Sequence, residues 1–209
     1  MKIRIFYILF TVIFLGSCTS TMKYTWSKVD FEGKKFNKIL VIVMSSTEQG
    51  RMTAEEIMVK DLAKQDIQAT NSFTVFPPNE NMESLTENEI ENRILDGGYD
   101  GVLVTKLIDA KSREVREGGS TYYYQPMTYR YHRSIRMGYM NMYEPEYYRQ
   151  ALTYVIESQL FDVEAEATRE SVVWSGQSEV TDPVSFESAS EEYSRTLVKT
   201  LIKSGKIIN

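Results

Sequence analysis

One histidine and one cysteine in 209 residues remove most catalytic chemistries from consideration at once. A single histidine excludes any multi-histidine metal site and leaves His132 as the one candidate for Ser-His or His-carboxylate work. It stands among Arg130, Tyr131 and Arg133, the setting of an exposed, basic surface histidine. The chain also lacks a Gly-x-Ser-x-Gly elbow, a Gly-rich phosphate loop with lysine, a His-Glu-x-x-His pair and a calcium loop. No internal repeat, heptad series or block of like charges appears. These absences point away from an enzyme and from a bound metal or cofactor.

Long apolar runs are missing as well. The longest, Ile5 to Leu15, follows Lys2 and Arg4 and is about half the roughly 20 residues that span a bilayer. A charged start, a short apolar stretch and small residues before a cleavage point make residues 1–17 a secretory signal, removed in the mature protein. The sole cysteine, Cys18, follows directly, and Leu15-Gly16-Ser17-Cys18 resembles the lipobox of bacterial lipoproteins. That resemblance implies lipidation of Cys18 and a palmitate-type acyl anchor in a membrane. The alternatives are an ordinary cleaved signal with an incidental cysteine, or an uncleaved anchor. Each buried CH₂ of an acyl chain contributes about 0.8 kcal/mol, so several chains hold firmly where one does not. With Cys18 committed to lipid, the mature chain has no disulfide or thiolate, and its fold rests on packing.

Removing the signal leaves 192 residues, a length suited to one domain. Losing Lys2 and Arg4 takes the formal charge from −5 to −7. An acidic surface of that kind does not seek nucleic acid or anionic headgroups.

Residues 18–36 read as the lipidated N-terminus and a tether, and residues 37–209 as a single α/β domain with a tyrosine-rich excursion at 118–150. Ile39 to Met44 is continuously apolar, the mark of a strand covered on both faces. Thr53 and Glu56 fit a capping box for a helix over 53–65. A second strand is expected over 67–76, with Ile67, Ala69, Phe73 and Val75 on one face, stopped by Pro77-Pro78. Thr86 and Glu89 cap a second helix, stapled by Leu85 and Ile90 and ended by Gly97-Gly98. Residues 99–108 read as a third buried strand. This β-α-β-α-β order predicts an α/β layer with largely parallel pairing.

From Ala151 to Ala165 the chain reads as a long strand whose apolar phase shifts between Ile156 and Phe161, predicting a bulge or bend. Alternation over 172–180 gives a strand forming a hairpin with it, the turn lying near 168–170. Asp182-Pro183 opens a last helix to about Ser204, expected to bury Phe186, Ala189, Tyr193, Leu197, Leu201 and Ile202. The expected fold is therefore mixed α/β (α+β), one mixed sheet with helices packed on it.

Nine of the fourteen tyrosines fall between Tyr122 and Tyr148, together with Met127, Met137, Met140 and Met142. Arg130, Arg133, Arg136 and Arg149 interleave with the rings, a pattern that elsewhere binds single-stranded nucleic acid. Export and the acidic mature chain argue against that use. Tyrosine also favours strands and pairs well across them, so a structural hairpin is the plain alternative. A core would more naturally use Leu, Ile and Val, which have no hydroxyl to satisfy. A partner-binding set, Tyr123, Tyr129, Tyr131, Tyr139 and Tyr143, is therefore expected to stay partly exposed. Asp100, between Gly98 and Gly101, could be a catalytic carboxylate but more often such an aspartate serves a turn. Glu55-Glu56 and Glu191-Glu192 read as solvated helix faces.

Phe36 to Met44, the Gly97-to-Val104 step, Leu160-Phe161-Asp162, Val173 to Gly176 and the helix after Asp182-Pro183 resemble a group of small bacterial envelope lipoproteins of unassigned function. Their architecture is like that of the N-terminal domains of the Tol-system propeller protein and the curli secretion-channel lipoprotein. The resemblance implies a mixed sheet in a cell-envelope protein and brings no catalytic residues with it. Function is then expected to be non-catalytic: a membrane-anchored lipoprotein, at the outer membrane facing the periplasm, that binds an envelope protein or assembles. Glycan or small-molecule binding is the second reading, and a hydrolase using His132 or a carboxylate the third.

Overall fold

The computed structural model describes residues 22–208 except 79, 81–83, 118–120, 132–133, 145–146 and 165–170. For 117, 121–131, 134–144 and 147 it describes the backbone alone. Strands are β1 Tyr24–Ser27, β2 Ile39–Met44, β3 Ala69–Asn71, β4 Gly101–Glu117, β5 Thr121–Tyr131, β6 Ser134–Glu144, β7 Tyr147–Asp162 and β8 Val172–Thr181. Helices are α1 Glu48–Ala63, α2 Glu87–Asp96 and α3 Phe186–Lys203.

Six strands form one mixed sheet in the order β1-β8-β7-β4-β2-β3, with the three helices packed against it. The β-α-β connections give parallel pairing of β3 with β2 and of β2 with β4, as the sequence order requires. From β4 outward through β7 and β8 to β1 the pairing is antiparallel, so parallel pairs are confined to one half. Strand β2 is covered from Ile39 to Val43 because its side chains serve both faces: Ile39, Val41 and Val43 meet α1 and α3, while Leu40 and Ile42 meet the layer holding α2. The first face also buries Leu103, Leu160, Trp174 and Val180 against Met58 and Leu62 of α1 and Tyr193, Leu197 and Leu201 of α3. The second joins Val102 and Phe161 to Phe76, Ile94 and Tyr99.

Several expectations are corrected. Residues 24–27, inside the stretch read as a tether, form β1 at the sheet edge, antiparallel to β8. Helix α1 begins at Glu48, capped by Thr47, whose side chain accepts from the Gly50 amide at 3.2 Å; Thr53 and Glu56 lie inside it. The expected strand over 67–76 is only Ala69–Asn71, followed by a 3₁₀ turn at Ser72–Thr74. Glu55 ends it: its carboxylate accepts from the Ser72 amide at 2.8 Å and the Ser72 hydroxyl at 2.6 Å, taking the chain out of the ladder. Helix α3 starts at Phe186 behind a Ser185–Ser188 capping box, and Phe186 is exposed, not buried. The phase change in β7 is a change of cover. Leu160 faces the α1/α3 side and Phe161 the α2 side, while the irregularities fall in the partners, between Leu107 and Asp109 in β4 and at Val173 in β8. The expected turn at 168–170 lies outside the described residues.

Helix α2 keeps its expected punctuation. Thr86 accepts from the Glu89 amide and Glu89 reaches back to the Thr86 amide at 2.8 Å. Gly98, with φ +69°, carries the chain out through a left-handed step that a residue with a Cβ adopts at a cost.

Candidate functional site

At the C-terminal end of β2, beside Thr105–Leu107 of β4, the sheet opens into a cleft of about 540 Å³. Ligand crevices in α/β sheets favour this position, outside the carboxyl ends of parallel strands, and this volume falls in the range of ligand pockets. Its walls come from every layer of that end: Val43 and Met44 of β2, Met58 of α1, Leu107 of β4, Tyr154 of β7 and Phe186 at the start of α3. The lining is mainly apolar, and its polar members are hydroxyls and Lys106, whose ammonium pairs with Glu157 at 3.1 Å.

Two buried hydroxyls of the lining, those of Thr105 and Tyr193, are already bonded. Thr105 and Ser158 share a hydrogen bond of 2.6 Å, and Ser158 and Tyr193 one of 2.8 Å, all three side chains lying in the core beneath the cleft. Burial pushes the Tyr193 hydroxyl well above its usual range, the Ser158 contact opposing it only in part. A buried chain of three hydroxyls with no imidazole or carboxylate bonded to it offers a candidate nucleophile no base. The helix caps leave little for an anion: Thr47 takes the Gly50 amide and Ser185 takes the Ser188 amide at 3.1 Å.

Two further buried carboxylates serve the fold. Glu55, read as part of a solvated face, is fully buried and accepts from the Val43 amide at 3.0 Å besides its two bonds to Ser72. Burial raises its pKa, against the pull of these hydrogen bonds. Asp100 accepts from the Asn37 amide at 2.7 Å, the Asn37 side chain at 2.9 Å and the Lys38 amide at 3.0 Å. Burial alone would raise the Asp100 pKa, but these donors together with the Lys34 charge lower it. A carboxylate held by three donors fixes the start of β2 against the start of β4, the turn-serving role in a longer-range form. No cluster of three or more His, Cys, Asp or Glu able to hold a metal occurs among the described residues.

Of the residues expected to carry function, Cys18 and His132 lie outside the described residues. The five tyrosines lie on β5 and β6, where only the backbone is described. There Tyr123 opposes Met142, Tyr129 opposes Arg136, Tyr131 opposes Ser134, while Tyr139 and Tyr143 oppose Pro126 and Tyr122. Directly opposed residues share a face and successive ones alternate. Residues 123, 129 and 131 therefore belong to one face of the ribbon, and 139 and 143 to the other. The excursion is thus a β-hairpin of two 11-residue strands that pair only with each other. Its root is the outer part of the β4–β7 ladder, where residues 107–114 are exposed.

No family model and no curated protein matches the chain. Among solved structures it is similar to the PelC dodecamer from Paraburkholderia phytofirmans, at 14% identity over 86% of this chain and 96% of that one, with a TM-score of 0.45. It is also similar to lipoprotein GNA1162 from Neisseria meningitidis, at 12% identity over 80% and 96%, TM-score 0.39. A PDZ domain protein from Parabacteroides distasonis gives 10% identity over 97% of this chain and 39% of that one, TM-score 0.35. Likenesses of this size assign neither a family nor a function.

The cleft itself was not visible in the sequence. Its residues belong to five elements, and their apolar character reads as core until the register is known. The one hint is Val184 and Phe186, two large apolar residues at a helix start, where the first turn commonly faces solvent.

Proposed function

We propose that the protein is a non-catalytic, lipid-anchored lipoprotein of the cell envelope, at the outer membrane facing the periplasm, that binds an envelope protein through its β5–β6 arm. The arm carries this reading. A two-stranded ribbon standing alone is marginal in water, and β5 and β6 gain no third strand from the rest of the sheet. Its sequence is rich in Tyr, Met and Arg, the types enriched at interface centres. The test is a photo-reactive residue at position 129, with position 65 as control, in membranes of cells making the intact protein. A discrete adduct from 129 and none from 65 supports the reading. Equal, diffuse labelling from both contradicts it.

A second reading, an apolar small molecule in the cleft, is favoured by the cleft's volume and lining. Ala54→Phe would narrow that space from α1. It should abolish binding of an apolar ligand while leaving the adduct at position 129 intact, which separates the two readings.

A further inference from the structure

On the face of the sheet that holds α2, the helix layer covers β2, Val102 and Val104 of β4 and Phe161 of β7, and among the described residues no helix lies over the rest. Two neighbouring rows of side chains cross that uncovered part. One holds Val104, Gln159, Ser175 and Trp26, and the next holds Lys106, Glu157, Gln177 and Tyr24. Directly opposed residues share a face, and alternate residues along a strand return to it, so these eight side chains stand on one side of the sheet. On β7 and β8 they are polar, as a wetted face requires. On the edge strand β1 they are aromatic: Tyr24 is 70% exposed and Trp26 53%, standing roughly 7 Å apart along the strand.

Tyr24, Thr25, Trp26, Ser175 and Gln177 line an open depression of about 410 Å³, which shares no residue with the cleft beneath α1 and α3. The polar side of this depression is braced from β7. The Glu157 carboxylate accepts from the Gln177 side-chain amide at 3.0 Å and from the Ser175 hydroxyl at 3.5 Å, and pairs with the Lys106 ammonium at 3.1 Å. A primary amide has two donor hydrogens and an acceptor oxygen, of which Glu157 takes one donor. The charges of this face are matched in place. Glu157 has Lys106, and Glu179 has both Lys23 and Lys111, the latter at 3.5 Å.

We propose that Tyr24, Trp26, Ser175 and Gln177 form a binding site for a neutral glycan. The C–H faces of pyranose rings lie on the two aromatic rings, and sugar hydroxyls bond to Gln177 and Ser175. Exposed rings supply apolar contact, while braced amide and hydroxyl groups fix orientation, which is the division of labour a sugar needs because each ring is apolar on its face and polar at its rim. Matched charges favour an uncharged ligand, since an ionic one would have to break a pair already made. They also set this face apart from a nucleic-acid platform, which needs cations to spare. A peptide adding a strand to β1 would use the backbone of its outer edge, whereas the braced polar groups stand on the face. The site is independent of the arm's partner and of lipidation at Cys18.

The chain has two tryptophans, and Trp174 is wholly buried, so quenching by iodide reports on Trp26. Full-length protein in detergent would be titrated with cellohexaose, maltohexaose and chitohexaose. At least one of them should shield Trp26 from iodide in a saturable way. Tyr24→Ala and Gln177→Ala should each weaken that binding by about tenfold while leaving the unfolding temperature unchanged. In calorimetry, Trp26→Ala should give no binding heat with the same sugar. No shielding by any of the three, binding heat retained in Trp26→Ala, or equal affinity in all variants overturns the inference. Trp26 already shielded in sugar-free protein that sediments as a dimer means that a second copy covers the rings, which overturns it as well.

Discussion

Asp100 shows how one side chain ties sequence-distant elements together. Its carboxylate satisfies two backbone amides and one side-chain amide of residues 37–38, far from it in sequence. Hydrogen bonds to a charged group contribute about 1.5–3 kcal/mol each way of counting, so Asp100→Ala should lower unfolding stability by about 2–3 kcal/mol in a denaturant titration. Its lowered pKa fixes the sign with pH. The stabilisation is fully present above the ordinary aspartate value of about 3.9 and is lost as pH falls through the depressed folded value. Asp100→Asn should therefore flatten the acid limb of the stability profile. Glu55 acts in the opposite sense. Its pKa is raised by burial, so the fold loses stability as pH rises from the ordinary glutamate value through the folded one.

Gly176 is a second residue fixed by its neighbour. A Cβ there would overlap the ring of Trp174, which is wholly buried. Gly176→Ala should destabilise by about 1–3 kcal/mol, the range for overpacking a filled core, with a change in tryptophan fluorescence. Asp100 could be read as a turn aspartate from its glycine neighbours. That its partners are residues 37–38, and that Glu55 is buried beneath β3, follows from strand pairing and is not written locally.

Elements with both periodicity and punctuation were legible: α2 with its capping box, β2 as a two-sided strand, β8 by alternation, and α3 through its buried Tyr193, Leu197 and Leu201. Leu197 is fully buried between α3 and the sheet, so Leu197→Ala should cost about 2–5 kcal/mol by thermal or chemical unfolding. Boundaries failed where several candidate caps compete, as in Ser45-Ser46-Thr47 against Thr53 before α1. The length of β3 failed because a tertiary contact, Glu55 with Ser72, outranks strand propensity. The arm resisted reading because its residues show no strict alternation of apolar and polar positions to detect. Its register now divides the five tyrosines into two sets. Paired changes at 123 and 129, on one face, should affect partner crosslinking differently from paired changes at 139 and 143 on the other. Equal loss from both pairs would mean that both faces are covered by the partner.

For the whole molecule, the β-α-β-α-β order and the closing β-β-α were readable, and so was the mixed character of the sheet. The edge strand β1 was not, because it lies in a stretch read as a tether and is set by its pairing with the distant β8. Among the described residues no helix is long and apolar enough to cross a membrane; the proposed attachment is through Cys18. The measurement that bears most directly on this account is metabolic labelling with a fatty-acid probe, followed by membrane fractionation, of the wild-type protein and Cys18→Ser. The account predicts a labelled, membrane-bound wild type and an unlabelled variant released from stable attachment. Equal labelling of the two would contradict it.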